Sequence, residues 1–209
     1  MSYDYCYKCL IIGDANVGKT NMCLRMAGFD YIPIYDHTIG VEFSTCYVMV
    51  DDTSIKFQLW DTAGQKIFGT IIKNYFMGVA VIFIVYDVSD KESFQNVEYW
   101  LNEIRKNKTN EEPVRLVLIG NKTDKRNKVI TTEMGQKKAD NNNMLFFEIS
   151  ARSNDNILNM KKSVGRSVYT DVSFTNEHPG IIEFNKNRIL TLAEADRNKC
   201  VYSDCCKLS

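Results

Sequence analysis

Residues 13–20 read Gly-Asp-Ala-Asn-Val-Gly-Lys-Thr, a G-x-x-x-x-G-K-T spacing set between the apolar run Cys9-Leu10-Ile11-Ile12 and a short helical stretch through Asn21 and Met22. A turn of this composition can hold phosphate through its backbone. Gly13 and Gly18 let the chain wrap inward without Cβ clashes, so that successive N–H groups across Asp14, Ala15, Asn16 and Val17 point at one centre. The dipole of the following helix adds partial positive charge. Lys19 then reaches the outer phosphates, and the Thr20 hydroxyl can sit on a Mg²⁺ ion that bridges them. Asn16 stands where many such loops carry glycine, and asparagine tolerates a left-handed backbone.

Three further segments carry matching chemistry. In Asp61-Thr62-Ala63-Gly64-Gln65, an aspartate at a strand end can orient Mg²⁺ through a bound water, and Gly64 offers an N–H to a γ-phosphate. In Asn121-Lys122-Thr123-Asp124, the Asp124 carboxylate can accept two hydrogen bonds from the N1–H and N2–H₂ edge of guanine. Adenine offers no such donor pair. GTP is therefore expected rather than ATP, and a P-loop ATPase or small-molecule kinase is disfavoured. Asn121 and the backbone N–H of Ala151, within Ser150-Ala151-Arg152, would complete a base pocket, and Tyr31 reads either as a ring lying against the base or as a plain core aromatic, with stacking the favoured reading.

These segments need strands to end beside one another. Runs rich in Val, Ile, Phe and Tyr recur at residues 7–12, 43–50, 55–61, 79–87, 114–121 and 145–150. Phe94, Val97, Trp100, Leu101 and Ile104 recur at helical steps, as do Ile157, Met160, Val164 and Val168. Asp51-Asp52-Thr53 is short enough for a hairpin, while helices between the later strands imply parallel crossovers. The expected fold class is α/β, an open six-stranded sheet of the P-loop type with helices on both faces and one antiparallel edge strand. Ligands in such sheets bind beyond the carboxyl ends of the strands, where all four segments fall.

The chain has 209 residues, enough for one buried core plus a tail. Its 26 basic residues balance 26 acidic ones and no long basic run occurs, which sets nucleic-acid binding aside. The longest apolar run, residues 79–86, is far short of the roughly 18 needed to cross a bilayer, and no signal-peptide core is visible at the N-terminus. Ser2 stands where myristoylation requires glycine. A cytosolic protein is expected. An odd count of seven cysteines without a secretory signal leads us to expect reduced thiols; Cys6 and Cys9 are spaced for opposite faces of a strand, which favours packing over redox or zinc chemistry, and Cys23 and Cys46 read as core fillers.

With these motifs in order, the chain resembles a Rab-type member of the Ras-like small GTPases over about residues 5–169. The phosphate loop, Thr38, residues 61–65, 121–124 and 150–152 match that superfamily's nucleotide motifs. Residues 39–43, 56–60, 75–78 and 84–87 resemble the stretches that mark Rabs within it. The resemblance implies a switch, on with GTP and off with GDP, that recruits effectors to vesicle or organelle membranes. It places Asn21, Tyr35, Lys122, Ser150 and Arg152 with the nucleotide contacts, Thr20, Thr38 and Asp61 about Mg²⁺, and Lys19, Gly64 and Gln65 at the chemistry. Thr38 would join the metal shell only while a γ-phosphate is present, and Gln65 would orient the attacking water. No arginine lies between Tyr31 and Glu42, so unaided hydrolysis should be slow and a GTPase-activating protein is implied. A guanine nucleotide exchange factor, a GDP-dissociation inhibitor or escort protein, and effectors follow from the same resemblance. The chain itself is expected to be a monomer.

Lys66-Ile67-Phe68-Gly69 departs from the Rab pattern, which usually has acidic and arginine residues around this phenylalanine. That change motivates an alternative, a hydrolysis-poor GTP-binding scaffold or decoy for Rab regulators. His37 reads as a solvated loop residue. Residues 1–169 are expected to form the GTPase domain and residues 170–209 a flexible tail. Cys205 and Cys206 near its end resemble the doubly prenylated Rab ending, and would place the protein in the cytosol and on the cytoplasmic face of intracellular membranes.

Overall fold

In the computed structural model, which describes residues 3–33, 38, 40–64, 75–107 and 113–171, each apolar run becomes a strand. In chain order the elements are β1 (Tyr5–Gly13), α1 (Lys19–Ala27), β2 (Val41–Val50), β3 (Thr53–Thr62), β4 (Val81–Asp87), α2 (Lys91–Gln95) and α3 (Val97–Asn107). After these come β5 (Arg115–Asn121), α4 (Thr132–Asp140), β6 (Leu145–Glu148) and α5 (Ile157–Tyr169). The sheet order is β2-β3-β1-β4-β5-β6. β2 pairs antiparallel with β3, and every other pairing is parallel.

The side-chain alternation of β1 explains the layering. Tyr7, Cys9 and Ile11 join a core under α1 and α5 that includes Met22, Phe57, Phe83, Met160, Val164 and Val168. Leu10 and Ile12 face the other way, into a core under α2, α3 and α4 with Ile84, Phe94, Val97, Trp100, Leu101 and Ile104. β4 is buried along its whole length, as a parallel strand covered on both faces must be. The two helical stripes therefore face opposite sides of one sheet.

Some boundaries differ from the expected ones. The run at 79–87 starts pairing only at Val81, and the last run leaves the ladder after Glu148, with Ser150 instead bridging Asp155. The stripe from Phe94 to Ile104 is one face but two helices. Asn96 ends α2, its N–H donating to the Glu92 and Phe94 carbonyls. Capping elsewhere follows side-chain chemistry. Asp90 accepts from the Glu92 N–H at the start of α2, and Thr131 from the Met134 N–H at the start of α4. The start of α1 carries no side-chain cap and no acidic residue in its first turn. No helix among the described residues is long and apolar enough to cross a membrane.

Candidate functional site

The carboxyl ends of β1, β3 and β5 and the turn after β6 open onto a cleft of about 370 Å³. It is lined by Ala15, Asn16, Gly18, Lys19, Thr20, Asn21, Tyr31, Thr38, Gly64, Asn121, Lys122, Asp124, Ala151 and Arg152, all of them named by the sequence. Pro33 and Lys125 line it as well. Gly13, Val17, Asp61 and Ser150 are buried and Asp14 is partly buried, and these five do not line the cleft.

At one end lies the phosphate loop. Gly18, at φ +92°, precedes the uncapped start of α1, and a Cβ there would stand 2.5 Å from Asn121 Nδ2, so the left-handed turn and the close approach both require glycine. Asn16 adopts the left-handed conformation expected of it, at φ 62°. The Val17 side chain is buried in the core, which leaves only its backbone to the loop. Lys19 Nζ donates to the Gly13 carbonyl at 3.0 Å and the Asp14 carbonyl at 2.8 Å. Burial lowers its ammonium pKa to about 8, against the opposing pull of Asp61 and Asp14. A buried cation at an uncapped helix start is built to receive an anion.

Three oxygen-bearing side chains meet next to Lys19. Thr20 Oγ1 donates to Asp61 Oδ2 at 2.5 Å and lies 2.9 Å from Thr38 Oγ1. Burial pushes Asp61 up to about 6, although the Thr20 hydroxyl and Lys19 pull it down, and its Oδ1 has no hydrogen-bond partner while buried. An orphaned carboxylate oxygen beside two hydroxyls suits a hard divalent cation whose other ligands are phosphate and water. The residues thus fit Mg²⁺. No group of three or more His, Cys, Asp or Glu suited to a metal occurs among the described residues.

At the other end Asn121 acts as a brace. Its Nδ2 donates to the Val17 carbonyl at 2.9 Å, and its Oδ1 accepts from the Lys122 and Ala151 N–H groups at 2.8 and 3.1 Å. The Ala151 N–H expected to meet the base is thus engaged by Asn121 in this structure. Lys122 Nζ donates to the Asn16 carbonyl at 2.5 Å. Asp124 Oδ1 accepts from Ser150 Oγ at 2.7 Å, and the Ser153 N–H donates to that same hydroxyl at 3.0 Å. Arg152 lies 4.0 Å from Asp124 Oδ2. Asn21 bonds both backbone groups of Ile32, at 2.8 and 3.0 Å, and so holds the segment that carries Tyr31.

Asp87 and Lys125 were not singled out for the site by the sequence. Asp87, buried at the end of β4, pairs with Lys122 and Lys125 at 2.9 Å each and accepts from Ser89. Burial alone would raise its pKa, but the Ser89 hydroxyl and Lys125, with the Ser89 N–H and Lys122, outweigh that and hold it near 2. Its position at a strand end on the same rim was the available signal. Lys125 had none beyond following the motif. The thiols of Cys6, Cys9, Cys23 and Cys46 are buried and shifted upward by burial, in keeping with packing. Tyr35, His37, Gln65, the stretch 66–69, Cys205 and Cys206 lie outside the described residues.

A model of the Ras family matches residues 8–170. The chain is 41% identical over 186 residues to the GTP-binding protein YPTM2 of Zea mays, a match covering 87% of this chain and 91% of that protein. It is 46% identical over 156 residues to the Ras-related protein RIC1 of Oryza sativa subsp. japonica, covering 74% and 76%. It is 34% identical over 210 residues to the Ras-related protein RabQ of Dictyostelium discoideum, covering 98% and 99%.

Proposed function

The chain belongs to the Ras family, and on that premise we propose that its cleft holds a guanine nucleotide between Asp124 and Lys19 so that GTP and GDP set two states of the protein. As a Rab-like small GTPase it binds GTP and GDP with Mg²⁺ and hydrolyses GTP. The observation that carries the assignment of roles is the convergence of Asp124, Lys19, Thr20 and Thr38 on one cleft, with the buried Asp61 bonded to Thr20.

In this reading Asp124, oriented by Ser150, accepts the two guanine donors, and Lys122 ties the base end to the phosphate loop through the Asn16 carbonyl. Lys19 and the N-terminal turn of α1 neutralise the β- and γ-phosphates. Thr20, Thr38 and Asp61 are the groups that would hold Mg²⁺, which supplies charge neutralisation between the phosphates when bound. Thr38 and Gly64 approach the γ-phosphate from two segments and release it on hydrolysis. Gln65 orients the water. Its replacement by Leu is expected to slow single-turnover hydrolysis by about tenfold to a hundredfold. An unchanged rate would make Gln65 a bystander and leave water positioning to a partner protein.

Residues 1–169 serve as the GTPase domain and residues 170–209 as the tail. Prenyl groups on Cys205 and Cys206 would attach the chain to the cytoplasmic face of an intracellular membrane, two such groups holding where a single lipid is marginal. Regulation falls to an activating protein, an exchange factor and a GDP-dissociation inhibitor or escort protein, with effectors reading the GTP state. The scaffold or decoy alternative rested on residues 66–69, outside the described residues, and no observation favours it.

A further inference from the structure

Asp14 is the second residue of the phosphate loop, yet its carboxylate is spent elsewhere. Oδ2 accepts from Asn96 Nδ2 at 2.6 Å and Oδ1 accepts from Trp100 Nε1 at 2.8 Å. The donors lie one helical turn apart where α2 gives way to α3, and the Trp100 backbone N–H donates to the Asn96 carbonyl at 3.1 Å, so a single turn presents both. Trp100 is 2% exposed and packed in the core under α3. Hydrogen bonds to a charged group are among the stronger ones in a protein, and two from a rigid helix fix both the position and the plane of the carboxylate.

The backbone of the same residue faces the chemistry. The Asp14 carbonyl accepts from Lys19 Nζ at 2.8 Å. Gly64 packs on it so closely that a Cβ on Gly64 would stand 2.5 Å from the Asp14 oxygen and closer still to the Ala15 nitrogen. One residue therefore has its side chain held by the α2–α3 junction, while its carbonyl touches both groups that are to meet the outer phosphates.

We propose that Asp14 is a positioning residue, anchored by Asn96 and Trp100, that sets the Lys19 ammonium and the Gly64 segment for the β- and γ-phosphates. The proposal rests on the guanine-nucleotide reading of the cleft. It makes the start of α3 part of the phosphate site without touching the nucleotide. A purely structural tie would affect melting alone. A positioning role affects triphosphate chemistry and spares the base end.

The test compares wild type, Asp14→Ala, Trp100→Phe and the double variant as full-length proteins with Mg²⁺. Trp100→Phe keeps an aromatic ring in the core but removes the indole Nε1–H together with two ring carbons, so its melting is measured beside the nucleotide assays. Asp14→Ala is expected to weaken GTP by about tenfold to a hundredfold and to slow single-turnover hydrolysis at saturating GTP by about tenfold, with GMP affinity, measured by competition, changed by no more than about twofold. Trp100→Phe should show a smaller effect in the same direction. The double variant should be no worse than Asp14→Ala, because the two act through one contact. Equal loss for GTP and GMP, an unchanged turnover rate in folded variants, or additive effects would overturn the proposal. Should Asp14→Ala fail to fold, the GTP/GMP comparison in Trp100→Phe decides. If wild type binds neither nucleotide, the guanine reading itself has failed and the proposal falls with it.

Discussion

Replacing Asp124 by Asn is expected to lower affinity for GTP by about 10²–10⁴-fold and to admit xanthine nucleotides in its place. The reason is donor–acceptor counting. A carboxylate offers acceptors to both the N1–H and the N2–H₂ of guanine, whereas an amide offers one acceptor and turns an N–H₂ toward a donor. Two hydrogen bonds to a charged group at about 1.5–3 kcal/mol each set the size of the loss. Ser150 Oγ, 2.7 Å from Asp124 Oδ1, can still donate to the amide oxygen, so the side chain keeps its placement and the change isolates the base-reading edge. Xanthine carries an oxygen where guanine carries its amino group, which restores a partner for the new N–H₂. Equilibrium titrations with GTP and XTP check this, and unchanged selectivity would remove Asp124 from the base pocket.

Lys19→Met is expected to cost a comparable factor by a different route, and to leave a distinguishing mark. Removing one member of a buried charge pair costs about 3–5 kcal/mol, or roughly 10²–10³-fold or more in affinity, because the phosphates are left uncompensated. Without nucleotide, the balance differs. Burial lowers the Lys19 pKa to about 8, which means the stripped fold disfavours the charged amine. A pKa below that of the unfolded chain makes the charge a net cost at neutral pH, and methionine removes that cost while filling similar space. The stripped variant should therefore melt no lower than stripped wild type while binding GTP far more weakly. A fall in both together would mean that Lys19 serves chiefly to hold the Gly13 and Asp14 carbonyls.

Much of this was legible in the sequence, for reasons that can be located. Gly18, Lys19 and Thr20 form a local motif whose spacing encodes backbone geometry, and the structure places all three on the cleft. The unbroken apolar stretch of β4 and the stripe through Val97, Trp100 and Ile104 state burial directly. What local patterns do not carry is side-chain pairing across the fold. Asp14 reads as one more member of the phosphate loop, and nothing near it announces partners 82 and 86 residues away. Asp87 likewise reads as the polar end of an apolar strand, although it gathers two lysines into the rim of the base pocket. The break between α2 and α3 was hidden because both helices share one apolar face.

The most direct check is calorimetry on full-length protein stripped of nucleotide and then titrated with GTP, GDP and ATP in the presence of Mg²⁺. Both guanine nucleotides should bind with a stoichiometry of one while ATP gives no saturable signal, since adenine cannot satisfy Asp124. Binding of ATP as tight as that of GTP, or no heat from either guanine nucleotide, would contradict the assignment of this cleft.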